Sequence, residues 1–525
     1  MKKIFIIIGL LVTMIASAYA QKETYNWFFG NRSGLTFLGT EETVTNTAWG
    51  NVKGLPILIP PAQCLPVSIY EGCFSISDKK GNFLFASDGI TAYNRNMQVL
   101  TDGTGLLGHM SATHSGIMSP KPEDPSKYYL ITVPALYHIA GLGNIDNGDG
   151  IRYSEIDLTA DGGLGAIVAG TKNSRLSLAN PIQADLTNPA TYLDTDIGEN
   201  VTIVGHYNGI DYWMISKIKS HYFVWKITKD GFSTPTAYYD GCVSGVQGVI
   251  KLSPDGRKVT HISHQKGVIA YADFDPETGK ITNTGHKQLQ PTATTLHLYS
   301  LEFSTDNKYL YIASANPPAA SLAENGLFVI NVEELYDPAI TITPTRLLPY
   351  MTNVQLGADG RIYGIHRDSR HLWIILDPEE GGNKIHQITD FFDANHMPQL
   401  GLPTFVTSFF RNSGLKTTPT DICVRQQAEL SIQVLRGTGP NQIDKIVWDL
   451  GDGSPTVTTN DWTSNTHKVT HTYKKSGVYT ITITPYYGPT NSKPNSPIED
   501  KIAREQIEVG ACSIPVNRNI TNMGY

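Results

Sequence analysis

The chain has 525 residues, 17% of them charged, and a formal net charge of −7 with no long acidic or basic run. Nucleic acid and anionic membrane surfaces demand a concentrated basic patch, so neither is an expected partner. Abundant glycine (48), proline (30) and tyrosine (26) suit an all-β protein with many turns.

The chain opens with "MKKIFIIIGLLVTMIASAYA": Lys2 and Lys3, an apolar run from Ile4 to Ile15, then Ala18-Tyr19-Ala20. This is the pattern of a cleaved secretory signal peptide over residues 1–20, with the mature chain starting near Gln21. No cysteine stands at the cleavage point, and no later apolar run reaches the ~20 residues that span a bilayer. The expectation is an exported protein of the periplasm or cell surface without a transmembrane segment. Export makes disulfides available to the five cysteines. Cys64 and Cys73 flank a short segment, while Cys423 and Cys512 bracket the C-terminal part. The expected bridges are Cys64–Cys73 and Cys423–Cys512, worth roughly 3 and roughly 4–5 kcal/mol on the loop-entropy model. Cys242 has no evident partner, and buried single thiols are the alternative for the first pair.

Polar turns feeding apolar strands recur along the next four hundred residues. They are "DKKGNFLFASDG" (78–89), "DPSKYYLIT" (124–132), "YNGIDYWMIS" (207–216), "SPDGRK" (253–258), "STDNKYLYIAS" (304–314) and "GADGRIYGI" (357–365). With Gly81, Ser126, Gly209, Gly256, Asn307 and Gly360 as markers, the spacings are 45, 83, 47, 51 and 53. A strand repeat near fifty residues predicts four-stranded propeller blades, which bury their faces only by stacking into a closed ring. The long interval is read as loop insertions at 141–150 and 184–200, although an extra blade would also fit. "NWFFGNRSGLTF" (26–37) and "GLPTFVTSFF" (401–410) remain at the two ends and are expected to share one blade that closes the ring. Seven blades result, six or eight being the alternatives.

Those two end segments, together with 71–108 and 150–168, resemble the propeller part of large exported proteins from gliding and gut-dwelling Gram-negative bacteria. The likeness runs in order over 26–410. It implies a PKD domain after the propeller and, often, a type IX secretion sorting domain. No room for a sorting domain follows the last expected strand, a departure that removes this support for surface delivery.

"SGLKTTPT" (413–420) reads as a linker, assigned to 414–420, between a propeller at 21–413 and a second domain at 421–511. In that domain Leu430, Ile432 and Val434 alternate with polar residues, as do Ile446, Trp448 and Leu450, then Tyr479, Ile481 and Ile483, then Ile507 and Val509. Period-two alternation predicts half-buried strands of a β-sandwich. "WDLGDG" (448–453) with "HTYKKSGVYTITI" (471–483) resembles the PKD signature, which implies an Ig-like fold. The resemblance assigns Trp448, Asp449, Gly451, Asp452, Gly453, His471, Tyr473, Gly477 and Tyr479 to a structural motif. Asp449 and Asp452 could hold Ca²⁺ only with further oxygens that are not nearby, so a turn is the expected role. Residues 512–525 read as a polar tail.

Catalytic signals are sparse. "NIDNGDG" (144–150) fits a hairpin tip better than a calcium loop, since Ile145 or Gly148 falls at a ligand position. The histidine pairs 109/114 and 261/264 have odd spacings that place two imidazoles on opposite strand faces. The strands "THSGIMS", "VTIVGH", "GVIKLS", "YSLEFS" and "NVQLG" look innermost, and they offer His114, His206, Glu302 and Asn353 as polar groups at the tunnel mouth. A lactonase-like hydrolase would use such groups to hold Ca²⁺ as a Lewis acid. The leading expectation needs no cofactor: a non-catalytic binding or scaffolding protein, with an envelope protein, surface protein or glycan as partner.

Overall fold

The computed structural model describes residues 22–511 apart from 42–43, 47–49, 53, 136–149, 188–190, 243–246, 265–266, 290–296, 315–325, 411–414, 419–421, 435, 437–441, 465 and 499–501. The expected signal peptide, most of the 144–150 loop, Cys512 and the tail lie outside the described residues. Among the described residues no helix is long and apolar enough to cross a membrane.

The N-terminal part is a β-propeller. Among the described residues seven successive sheets of three to six strands follow one another, with Asn26–Phe29, Phe74–Ser77, Gly116–Lys121, Thr202–Gly205, Ile250–Leu252, Leu298–Phe303 and Asn353–Leu356 each at one edge of its sheet and here called its first strand. The first strands of successive sheets are neighbours, so they form the inner ring. The repeated turn leading into the second strand has a visible cause. Asp255, Asp306 and Asp359 each accept, through Oδ1, the amide hydrogen bond of the residue two positions on, and Gly256, Asn307 and Gly360 supply the positive φ between them. The 83-residue interval holds no further sheet among its described residues: Ser174–Arg175 joins the third sheet and Ile182–Gln183 joins the fourth.

Ring closure differs from expectation. The first sheet is built wholly from residues 26–58, and it packs directly on the seventh, with Trp27 edge-on to Tyr363 at 5.9 Å and Phe29 edge-on to Phe392 at 6.0 Å. The segment 400–410 adds no strand to that sheet. Instead it runs inside the ring. The Leu400 amide donates to Tyr70 O, and Asn353 Nδ2 donates to Leu400 O. The Thr404 amide donates to Cys73 O, Thr407 Oγ1 lies 3.4 Å from Thr202 Oγ1, and Ser408 Oγ accepts from the Gly205 amide. These partners lie on or beside the first strands of the seventh, second and fourth sheets, so the segment passes along the axis. Its sequence explains why: Phe405, Val406 and Phe409 are buried there, which an edge strand facing solvent would not achieve. Gly401 permits the close approach, since a Cβ at that position would lie 1.9 Å from Glu71 O.

The expected Cys64–Cys73 bridge does not form. Both thiols are free and buried in the core shared by the first and seventh sheets. Cys64 follows the short helical turn Pro61–Gln63 and turns its sulfur toward the Ile59 carbonyl, 3.6 Å away, while Cys73 is fixed by the axial segment. Burial pushes the Cys64 thiol up to about 12 and that of Cys73 higher still. Cys242 is likewise buried and in no disulfide. Cys423 is disulfide-bonded, its expected partner Cys512 lying outside the described residues.

The C-terminal part is a two-sheet sandwich. Lys416–Thr418, Gln427–Gln433 and Thr466–Thr472 form one sheet; Ile422–Cys423, Ala503–Gly510, Gly477–Tyr487, Ile443–Asp449 and Val457–Thr459 form the other. Lys416–Thr418 lies in the stretch read as a linker. Leu430, Ile446, Trp448, Tyr473 and Ile481 meet in its core, as period-two alternation requires.

Candidate functional site

Two places gather carboxylates, and they are built differently. In the sandwich, "WDLGDG" closes a strand. Trp448 is buried and Asp449 exposed. Asp449 Oδ1 accepts from the Gly451 amide, Asp452 Oδ1 accepts from the Ser454 amide, and Asp452 Oδ2 lies 2.8 Å from His471 Nε2. Gly451 has φ +78°, and a Cβ there would meet Thr480 O at 2.5 Å. Tyr473 donates its hydroxyl to Leu450 O and packs against Tyr479. Burial works to raise the Asp452 carboxyl, but hydrogen bonds from Ser454 and His471 hold it down at about 2. This pair organises a turn, with each carboxylate turned back on its own chain.

The second gathering lies at one mouth of the propeller axis, where connections reach the starts of first strands. Glu71 precedes the second sheet, Ser111 and Thr113 the third and Glu199 the fourth, while Tyr299 opens the sixth. Tyr299 donates its hydroxyl to Glu71 Oε1 at 2.5 Å and Ser111 donates to Glu71 Oε2 at 3.1 Å. Thr113 donates both its amide and its hydroxyl to Glu199 Oε2, at 3.0 and 2.9 Å. Glu71 is 7% exposed and Glu199 fully buried. Burial first, and then the Glu199 charge, push the Glu71 carboxyl up to about 8.

Further along the axis, Lys251 bridges Glu302 Oε2 (3.0 Å) and Gln355 Oε1 (2.6 Å), joining the first strands of the fifth, sixth and seventh sheets. Glu302 also accepts from the Phe303 and Leu356 amides.

The four residues expected at the tunnel mouth are thus distributed. His114 is buried beside the mouth, with Nδ1 3.0 Å from Val201 O; burial and then the Lys251 charge hold it down at about 3, so it is neutral. Asn353 accepts from Ser300 Oγ and donates to the axial segment at Leu400. Glu302 lies deeper, in the lysine bridge. His206 is not with them: it sits in the turn after Thr202–Gly205, stacked on Trp213 at 5.2 Å with Nδ1 accepting from the Asn208 amide. Glu71, Thr113, Glu199, Tyr299, Lys251 and Gln355 escaped the sequence reading. One signal was present for two of them. "IKLS", "LEFS" and "VQLG" place a polar residue at the same offset before the repeated turn.

Among the described residues no group of three or more His, Cys, Asp or Glu side chains is arranged to hold a metal ion. A groove of about 310 Å³ lies between the third and fourth sheets, lined by Tyr153, Arg175, Ser177, Phe232 and Thr234 among others.

Comparison with known proteins matches residues 416–490 to the PKD domain family. No curated protein matches the chain in sequence. Among solved structures, the chain is similar to a Lactobacillus plantarum protein at 13% identity, covering 72% of this chain and 98% of that one, with a TM-score of 0.42. It is also similar to a periplasmic gluconolactonase of Pseudomonas aeruginosa (14% identity, 71% and 97% covered, TM-score 0.38). A third likeness is to the extracellular domain of a one-component system of B. thetaiotaomicron (11%, 92% and 56%, 0.31). No activity is carried over from any of them. The chain is a β-propeller followed by a PKD domain.

Proposed function

We propose that this is an exported, non-catalytic binding or scaffolding protein, in which the propeller presents a surface to an envelope protein, a surface protein or a glycan and the PKD domain acts as spacer or interaction module. The observation that supports this reading is the axial segment 400–410. It occupies the space in which a propeller enzyme would receive its substrate, and the polar groups facing it are hydrogen-bonded to one another or to the segment itself. The rim then becomes the working surface, and the groove between the third and fourth sheets, with Tyr153 and Phe232 in its lining, has a size at the lower end for ligand sites.

A second reading, a tunnel-mouth hydrolase of the lactonase type, is favoured by one observation. A carboxyl pushed up to about 8, as at Glu71, holds a proton at neutral pH and could deliver it to a leaving group. Immobilised full-length mature chain, exposed in parallel to a glycan array and to envelope extract with and without Ca²⁺, separates the two. Saturable retention of one glycan class or one stoichiometric protein, unchanged in Glu71→Gln, is the expected result. Lactone or ester hydrolysis abolished by Glu71→Gln would replace the binding reading with the second.

A further inference from the structure

The groove between the third and fourth sheets is walled on one side by the longest interval of the propeller repeat. The 83 residues between Ser126 and Gly209 add no sheet among their described residues. Instead Ser174–Arg175 pairs along the third sheet and brings Arg175 and Ser177 into the lining. The other wall is a tight turn of the fourth sheet, in which Thr228 pairs with Gly231 and Ile227 with Phe232. Gly231, at φ +110°, lets the chain leave that turn and sets Asp230, Phe232 and Thr234 along the groove.

Each wall carries a charged group that is already neutralised. Arg175 Nη2 donates to Asp194 Oδ2 at 2.5 Å, with the arginine side chain half exposed and the carboxylate nearly buried. That contact fixes the guanidinium while using one of its nitrogens, and further N–H donors remain for a ligand. Asp230 is exposed, and its two carboxylate oxygens take 2.9 and 3.2 Å bonds from Lys229, a surface pair that leaves each oxygen able to accept again. Charges therefore cancel on both walls. An anion would meet Asp230 and a cation would meet Arg175.

The same lining holds an aromatic platform. The half-buried rings of Phe232 and Tyr153 lie 4.8 Å apart, and buried Tyr129 packs on both, at 5.1 and 6.0 Å. A neutral sugar matches this combination. Its C–H face is apolar and packs on an aromatic ring, while its hydroxyls both donate and accept and so use a guanidinium and a carboxylate together.

We propose that this groove binds a neutral saccharide, with one sugar ring against Phe232 and Tyr153 and its hydroxyls bonded to Arg175 and Asp230. The hydroxyls of Ser177 and Thr234 extend the polar lining. The proposal rests on the binding reading, from which it selects a glycan as partner and names the site.

An array of neutral and uronate-bearing oligosaccharides, probed with the full-length mature chain, tests it. Saturable retention on one neutral class is expected, with the uronate-bearing counterparts bound at least about tenfold more weakly. Phe232→Ala and Asp230→Ala should each weaken that retention about tenfold or more, and Phe232→Tyr should keep it. Asp230 stands on an exposed turn, so its variant keeps the test decisive if Phe232→Ala fails to fold. Neutral glycan retained equally by the wild type and both alanine variants would overturn the groove as the site and leave glycan binding standing. Preference for uronates, or retention of no saccharide, would overturn the proposal itself. In that last case one stoichiometric protein captured from envelope extract would still uphold the binding reading, and failure of that capture too would remove it.

Discussion

Two pairs of carboxylates, one in each domain, are held in opposite ways. Asp449 and Asp452 lie in one turn, point away from the core, and bond amides two residues along; the Asp452 carboxyl is held down at about 2. Glu71 and Glu199 come from separate connections, are buried, and each accepts from neutral hydroxyls; the Glu71 carboxyl is pushed up to about 8. Surroundings, not residue type, decide whether an acid is a fixed charge or a stored proton. Local amides and a histidine stabilise the charged form, while burial beside a like charge favours the protonated one even though neutral hydroxyls donate to the carboxylate.

The largest effects should come from breaking what each pair rests on. Trp448→Ala removes the sandwich's fully buried indole and should cost that domain about 3–5 kcal/mol in chemical denaturation. Propeller unfolding read by hydrogen exchange should be unaffected. In the propeller, Lys217 and Asp240 form an ion pair at 3.0 Å with both side chains fully buried. Lys217→Met strands the carboxylate and should cost about 3–5 kcal/mol, most of it recovered in Lys217→Met/Asp240→Asn. If the double variant were no better than the single one, the premise that burial decides the fate of an acid in this ring would be weakened.

Next in size is the pH dependence, which has opposite signs in the two domains. The Glu71 carboxyl is raised in the folded state, so its contribution is fully present below the unfolded value near 4.5 and is lost as pH rises to about 8. Thermal melts of Glu71→Gln should lack that decline. Asp452 is depressed, so its contribution is present above about 3.8 and is lost as pH falls toward 2. Asp452→Asn should remove about 1–2 kcal/mol from the sandwich at pH 7 and nothing at pH 2. The smallest test is within the turn. Gly451→Ala meets both a positive φ and the Thr480 carbonyl, whereas Gly453→Ala meets only a positive φ with open space around it. The second should cost about 1 kcal/mol and the first clearly more.

The contrast also explains what the sequence could tell. The sandwich turn was legible because its partners are close in the chain: Asp449 bonds Gly451, and Asp452 bonds Ser454 and, 19 positions on, His471. The propeller was legible for a similar reason, since each blade repeats a local turn. The mouth was not. Glu71 meets its donors 40 and 228 residues away and Glu199 meets Thr113 at a separation of 86, contacts that exist only once the ring has closed. Closure was misread because Phe405, Val406 and Phe409 look like strand residues in sequence; that they fill the axis depends on the width of the ring. The Cys64–Cys73 bridge was misread on spacing alone, which fixes neither the direction of a thiol nor the burial that keeps it reduced.

The most direct measurement is a ¹³C-carboxyl NMR titration of glutamate-labelled mature protein, with Glu71→Gln for assignment. One glutamate resonance should titrate far above the rest, up to about 8, and vanish in the variant. If every glutamate titrated below about pH 5, Glu71 would be an ordinary carboxylate, and the contrast between the two pairs would collapse.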